Sequence, residues 1–353
     1  MEALSGSLAE FLEAHVSQGQ LVRPEKDDAV RCLACGHRCL IRPGRSGICK
    51  VRFNEGGVLK VPSGYAAGIQ CDPIEKKPLA HVLPGSSALT FGMLGCDFHC
   101  GYCQNWVTSQ ALRDGAAGVQ PTQVTPQELV ETATRMGAGL VASSYNEPLI
   151  TAEWAKEIFA VARRSGLRTA FISNGNATPE VLDFIRPVTD CYKIDLKTMS
   201  DRAYRRLGGV LQHVLDAIRM VHERGFWMEV VTLIVPGFND TPDELQRAAD
   251  FLVSVSPDIP WHVTAFHQDY KMAGNPNTPT EQLIATCEVG RSAGLRYVYA
   301  GNRPGLVDGW ENTYCPDCGE TVVERTGYRV LHKRVGPDGS CGTCGARIPG
   351  IWQ

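Results

Sequence analysis

The chain has 353 residues, 43% of them hydrophobic and 21% charged, with a formal net charge of −3 at pH 7. A chain of that length buries about three quarters of its unfolded surface, so its 14 cysteines are not needed as staples. No apolar run approaches the roughly 18 residues of a membrane span, and no long basic run offers a nucleic-acid footprint.

The opening segment MEALSGSLAEFLEAHVSQGQ reads as an amphipathic helix, with no positively charged start ahead of an apolar run. The expected home is a reducing cytosol, where clustered cysteines bind metal more often than they form disulfides. The first cluster, CLACGHRCLIRPGRSGIC, places Cys32, Cys35, Cys39 and Cys49 at C-x2-C-x3-C-x9-C, with His37 as a spare donor. Four thiols in one segment suit a structural metal, zinc or iron, or an auxiliary iron–sulfur cluster. Residues 56–84, punctuated by Gly and Pro, with short extended pieces and a charged DPIEKKP, read as an ordered connector lying against the α/β region that follows.

Between residues 88 and 301, short apolar runs alternate with helical stretches. ALTFGML, GLVASSY, RTAFIS, DCYKIDL, WMEVVTLIV, WHVTAF and RYVYA read as strands. Pro126–Met136, Ala152–Ser165, Pro179–Ile185, Leu211–Arg224, Pro242–Val255 and Thr280–Ala293 read as helices, several capped by Thr125, Thr178, Thr241 and Thr278 or Thr280. Alternation of this kind implies parallel pairing with right-handed crossovers. Six or seven units suit an α/β fold of the partial (β/α)6 barrel type; a doubly wound sheet is the competing arrangement. Cys71, Cys191 and Cys287 stand outside the clusters and read as small buried hydrophobes.

GCDFHCGYCQNW follows the first barrel strand and carries Cys96, Cys100 and Cys103 at C-x3-C-x2-C. Three thiolates from one loop can hold three corners of a cubane iron–sulfur cluster and leave the fourth iron open, the kind of position where a metal does chemistry. With His99 as a fourth ligand, the same cysteines could instead form a zinc site. The spacing, with Tyr102 before the last cysteine, resembles the signature of the radical S-adenosylmethionine (radical SAM) superfamily. The resemblance implies a [4Fe-4S] cluster on Cys96, Cys100 and Cys103 that passes one electron to the bound cofactor. The products are methionine and a 5′-deoxyadenosyl radical that abstracts hydrogen.

Barrel active sites gather at the C-terminal ends of strands. By the same resemblance, SSYNEP offers Glu147 to the cofactor's amine. Ser173 and Asn174 match the Thr/Ser-Asn-Gly element of the glycyl-radical-enzyme activases. YKIDLKT places Asp195 and Lys197 on one face of an extended segment, matching their Asp-x-Lys, whose lysine meets the cofactor carboxylate. Pro236 and Gly237, in LIVPGFNDT, resemble the backbone that packs on adenine, and Tyr102 is counted among the cofactor contacts. Ile172 stands where the activase of pyruvate formate-lyase has an aspartate for a monovalent cation, which puts that cation in doubt here. WHVTAFHQDYKM offers His262, His267, Asp269, Tyr270 and Lys271 as substrate-facing candidates, the histidines having a plain core role as the alternative.

Near the end, CPDC and CGTC place Cys315, Cys318, Cys341 and Cys344 on two C-x2-C knuckles separated by 22 residues, around strands TVVERT and YRVLHKR. This is a zinc-ribbon or rubredoxin-like pattern, favouring structural zinc with iron as the alternative. Taken in order, the N-terminal tetrad, DPIEKKPL, GCDFHCGYCQN, YNEP, KIDLK, PGFND, FHQDYKM and NTYCPDCG resemble the radical SAM member of the AmmeMemoRadiSam group, a relative of the glycyl-radical-enzyme activating enzymes. The implied architecture is an N-terminal helix, four-cysteine module and connector (1–87), a radical SAM barrel (88–304) and a small Cys-rich metal module (305–353). The implied partners are an electron donor such as flavodoxin or ferredoxin, AMMECR1-like and Memo-like proteins, and a protein or small-molecule substrate. The competing account is a zinc-ribbon interaction or nucleic-acid module on a non-catalytic barrel; low net charge and no interleaving of Arg with aromatics weigh against it.

Overall fold

A computed structural model describes residues 7–353. Its centre is one eight-stranded sheet: β1 (Gly68–Pro73), β2 (Ser87–Gly92), β3 (Ala138–Ser143), β4 (Arg168–Ser173), β5 (Cys191–Asp195), β6 (Trp227–Ile234), β7 (Trp261–Ala265) and β8 (Val298–Gly301). The spatial order equals the chain order, with β1–β2 antiparallel and every later pair parallel. A doubly wound sheet reverses its strand order part way across, and this one does not. The crossover helices therefore share one side, and the sheet curls around the other as a partial barrel. All seven expected strands are present. Strand β1 is the addition, an antiparallel edge inside the segment expected to be a connector.

The crossovers are α1 (Pro126–Arg135), α2 (Ala152–Arg164), α3 (Pro179–Ile185), α4 (Leu211–Glu223), α5 (Pro242–Val255) and α6 (Thr280–Ala293). Thr125 closes a capping box with Glu128, and the Thr178 and Thr241 hydroxyls accept from Val181 N and Glu244 N. The fourth expected cap is not formed. Helix α6 starts after Pro279 without a side-chain cap, and the Thr278 hydroxyl instead donates to the Ile234 carbonyl and accepts from Phe266 N. It ties the end of β6 to the end of β7. A further helix, Asp201–Leu207, precedes α4 and ends on left-handed Gly208.

Each crossover buries one stripe. On α2, Trp154, Ala155, Ile158, Phe159 and Ala162 face the sheet, and Phe159 meets Phe91 and Phe171 edge-on at 6.2 and 5.3 Å. Each such large side chain contributes about 1.5–3 kcal/mol. The N-terminal helix is shorter than expected, running from Leu8 to Ala14 behind a Ser7–Glu10 capping box. Val16–Gln18 then pairs with Val58–Pro62 as a strand, because its apolar side packs on a hairpin and not along a helix face. This region is pinned to α2 by a buried ion pair, Arg52 donating to both Glu153 oxygens at 2.8 and 2.7 Å.

The floor of the barrel is polar. Glu229, fully buried on β6, accepts from Ala80 N (2.8 Å), His81 N (2.9 Å), Trp227 Nε1 (3.0 Å) and His262 Nε2 (2.6 Å). Burial opposes its ionisation, yet the hydrogen bond and charge of His262 outweigh it and hold the carboxyl at about 2. His81 donates from Nδ1 to the Pro349 carbonyl, so its Nε2 accepts from the Tyr299 hydroxyl, both at 2.7 Å. Burial keeps it neutral, with a pKa of about 4. Ile351 N donates to the His81 carbonyl and Leu83 N to the Ile351 carbonyl, a clasp between the end of the C-terminal module and the start of the barrel.

Candidate active site

Strand β2 runs into Gly95, which has a φ of +90° and lies so close to Cys49 O and Val51 that a Cβ here would stand 2.9 Å from each. Both features exclude any larger residue. The loop beyond it carries Cys96, Cys100 and Cys103 into a small cavity of about 110 Å³ that Glu147, Asn174, Asp195 and Lys197 also line. The Cys96 sulfur accepts from Phe98 N at 3.3 Å, and the Cys103 sulfur lies 3.2 Å from the Ser109 hydroxyl. Burial pushes the Cys100 thiol up to about 12, so it stays protonated until a metal displaces the proton. The three sulfurs share a void without converging on a point. Among the described residues, the C-terminal tetrad is the one group of three or more metal-capable ligand atoms within 4.8 Å of one another. The wider spacing of the loop sulfurs suits thiolates on separate irons of a cluster, not one ion. His99 is exposed, with its ring against Gly208 and outside the cavity lining, so the zinc alternative loses its fourth ligand.

Asp97, fully buried beside Cys96, accepts from Asn174 Nδ2 (2.7 Å) and Asn176 Nδ2 (2.8 Å). Glu147 lies next to this pair. Its Oε1 accepts from Ser173 Oγ (2.7 Å) and Leu149 N (3.2 Å), its Oε2 from Asn174 N (2.7 Å). Burial, then the charge of Asp97, raises its pKa to about 8. Glu147, Ser173 and Asn174 are thus brought together at the ends of β3 and β4, engaged mainly with one another. Asp97 and Asn176 were not singled out from sequence; the acidic residue inside the cysteine motif was the available signal.

Strand β5 and its extension place Lys193, Asp195 and Lys197 on one face, as alternation dictates. Asp195 accepts from the ammonium groups of both lysines, from Lys197 at 3.2 Å. Burial raises the Asp195 pKa, but the two positive charges outweigh it and hold it at about 2. Pro236 and left-handed Gly237 form the turn after β6. Asn239 locks that turn, accepting from Val235 N and donating to the Lys197 and Leu233 carbonyls, all at 2.8 Å. Phe238 meets buried Tyr102 edge-on at 5.6 Å, joining the turn to the cysteine loop.

A second cavity of about 330 Å³ opens above these groups. One wall holds Cys100, Tyr102, Cys103, Asp195 and Lys197; the opposite wall holds Lys76, Lys77, Asn302 and Tyr328. The substrate candidates are placed elsewhere. His262 lies opposite Val231 in the sheet, hydrogen-bonded to Glu229 and stacked on Tyr299 at 5.0 Å, and lines a smaller cavity of about 80 Å³ next to this one. His267 is exposed at the rim, 2.9 Å from Gln104 Nε2, and Asp269 caps the turn at Tyr270. Tyr270 stacks on Trp106 at 5.1 Å and Lys271 N donates to the Gly101 carbonyl, so this loop braces the cysteine loop from outside. Neither His267 nor Asp269 lines either cavity.

The two terminal tetrads differ. Cys315–Cys344 and Cys318–Cys341 sulfurs lie 3.6 and 3.8 Å apart, which matches four thiolates about 2.3 Å from one tetrahedral ion. Cys32, Cys35 and Cys49 are buried and Cys39 partly so, but their sulfurs are not drawn as tightly around one point. A larger cavity, about 1100 Å³, lies away from all this between the N-terminal helix and the hairpin Phe53–Pro62 and holds none of the clustered cysteines.

Residues 91–252 match the Radical SAM superfamily. The chain is 36% identical over 327 residues to an uncharacterized protein of Methanocaldococcus jannaschii, covering 91% of this chain and 96% of that one. It is 26% identical over 208 residues to pyruvate formate-lyase 1-activating enzyme of Escherichia coli K12, 54% of this chain and 82% of the relative. Among solved structures, a radical SAM methyltransferase from Sphaerobacter thermophilus aligns with a TM-score of 0.48 at 16% identity, over 67% of this chain and 71% of that one. The chain is an α/β protein of an enzyme family and belongs to the radical SAM superfamily. Within it, pyruvate formate-lyase activating enzymes are homologues. No helix among the described residues is long and apolar enough to cross a membrane.

Proposed function

We propose that this chain is a radical SAM enzyme that takes a hydrogen atom from a substrate held at the barrel mouth. The observation that carries the reading is the void lined by three cysteines of one loop and no fourth cysteine or histidine, with Lys197 and Asp195 facing it. These residues fit a [4Fe-4S] cluster: the sulfurs are desolvated, and backbone and hydroxyl donors reach two of them. When bound, the cluster and S-adenosylmethionine supply reductive cleavage to a 5′-deoxyadenosyl radical.

The protein's part is to bind, orient and exclude water. Lys197 pairs with the cofactor's carboxylate, and Asp195 keeps that ammonium charged and aimed. The segment Ser144–Glu147 is read as the contact for its amine, with Glu147, engaged on both oxygens, holding that segment against Ser173 and Asn174. Tyr102, Pro236 and Gly237 wall the adenine. In this reading Cys315, Cys318, Cys341 and Cys344 hold structural zinc, and Cys32, Cys35, Cys39 and Cys49 hold a second metal. A flavodoxin or ferredoxin serves as electron donor. A protein substrate, with AMMECR1-like or Memo-like partners, is the second reading, favoured by homology to the activating enzymes.

The test is anaerobic reconstitution followed by dithionite and S-adenosylmethionine. 5′-Deoxyadenosine forms with the wild type and is lost in Cys100→Ala. A variant lacking all three loop thiols loses about four irons and keeps its zinc. Iron content unchanged in that variant would refute the assignment.

A further inference from the structure

The superfamily match ends at residue 252 and begins at 91, so Lys76, Lys77, Asn302 and Tyr328 all lie outside it. They nevertheless form the wall of the 330 Å³ cavity facing the cysteine loop. Lys76 and Lys77 follow β1, and Asn302 follows β8, so this wall is the seam between the two edges of the open sheet. Tyr328 comes from the C-terminal hairpin and donates to Asn302 Oδ1 at 3.3 Å.

The seam is cationic. Asp72 accepts from Lys76 at 3.0 Å and from Lys77 at 3.2 Å, so two ammonium groups share one carboxylate and one positive charge is left over. Lys77 is only 5% exposed, and its ammonium also donates to the Tyr145 hydroxyl at 3.2 Å. An ammonium has three N–H donors. Lys77 therefore keeps one and Lys76 keeps two with no protein acceptor. Across the cavity, Lys193, Asp195 and Lys197 repeat the arrangement of two cations on one carboxylate. One such triad is claimed by the cofactor in the radical SAM reading. The second has no role there.

The seam continues into an annex of about 80 Å³ that shares Lys76, Thr264, Asn302 and Tyr328 with the main cavity. Its lining includes His262 and a buried ion pair, Glu75 and Arg325, 8% and 6% exposed, with Arg325 Nε 3.6 Å from Glu75 Oε1; beyond that ionic contact, Glu75 Oε2 and Arg325 Nε have no hydrogen-bond partner. Buried polar atoms left unpaired are costly and mark a place where a polar ligand or water is expected.

We propose that the Lys76–Lys77 wall is the substrate subsite and that it takes a small molecule bearing a carboxylate or phosphate group, with a distal polar end directed into the annex at Glu75 and Arg325. This rests on the radical SAM reading for what is done to that molecule, not for its binding. Lys77 lies inside the cavity, not on its rim, so its ammonium meets only what enters. That favours a small anion over a docked protein surface.

The test titrates full-length, cluster-reconstituted protein calorimetrically, under anaerobic conditions with S-adenosylmethionine present, with malonate and with inorganic phosphate. Malonamide serves as the neutral control and a capped Glu-rich decapeptide as the polypeptide-borne carboxylate. Malonate or phosphate binds saturably. Lys77→Met weakens that binding about tenfold or more and Lys76→Met about threefold, as expected for losing one charged hydrogen bond. Lys77→Arg and the exposed control Lys333→Met retain it; Lys76→Met, at a half-exposed side chain, keeps the test valid if Lys77→Met fails to fold. Equal affinity in wild type and both methionine variants, equal affinity for malonamide, or a decapeptide that binds tighter than either anion overturns the proposal. 5′-Deoxyadenosine release, measured separately without added anion, judges the radical SAM reading alone.

Discussion

The mouth and the floor of this barrel are built from the same kinds of side chain and end in opposite states. At the floor, Glu229 accepts four hydrogen bonds, its full capacity, and His81 has both ring nitrogens engaged. At the mouth, Lys193 and Lys197 each spend one of three N–H donors on Asp195, and Lys76 one on Asp72. Saturated charge fixes a fold; charge with donors left over binds something. The difference separates residues that a sequence alone ranks together, such as His262 and Lys197.

The floor is most vulnerable at Glu229. Glu229→Ala leaves His262 and two backbone N–H groups buried without an acceptor and lowers stability by about 3–5 kcal/mol, read from urea denaturation. Lys197→Met does the reverse: stability shifts by less than about 1 kcal/mol, because Lys193 still pairs with Asp195, while kcat/KM for S-adenosylmethionine falls roughly 10- to 100-fold. A wild-type-like kcat/KM would place the cofactor carboxylate elsewhere. The floor is also acid-labile. His81 titrates at about 4 when folded and near 6.5 when unfolded, so the unfolded chain binds more protons between those values. Stability therefore falls as pH drops from about 6.5 toward 4, by up to about 1.4 kcal/mol per unit, and His81→Gln flattens that slope. Smallest of all, His267→Ala changes stability by no more than about 0.5 kcal/mol and leaves 5′-deoxyadenosine formation intact, since the side chain is exposed and lines neither cavity.

What could be read beforehand depends on how local each signal is. The seven parallel strands and six crossover helices were legible because buried strands are continuous apolar runs and helices carry a 3.6-residue apolar stripe, three of them behind a Thr cap. Strand β1 was legible only as an extended piece of the connector: GIQCDP is half-exposed, contains Gly and Pro, and joins the central sheet only because β2 offers it an edge. Thr278 looked like a cap because Pro279 and the helix come after it, yet two strand ends compete for its hydroxyl and win. The cysteine loop and the Asp195–Lys197 pair stood out by spacing. Lys76 and Lys77 did not, since a charged run in a connector has the appearance of a solvated face until the sheet edges meet around it. Glu229 was hidden in WMEVV for the same reason: one acid in an apolar strand gains meaning only from the backbone N–H groups of Ala80 and His81.

The clasp of residues 81–83 against Ile351 has a consequence for synthesis. His81 waits for the Pro349 carbonyl, 268 positions later in the chain. Each earlier strand can pair with its predecessor as it leaves the ribosome, but the floor stays unlatched until that distant segment emerges. A nascent barrel therefore presents its cysteine loop before its base is sealed, and cluster loading and final locking become separable events in time.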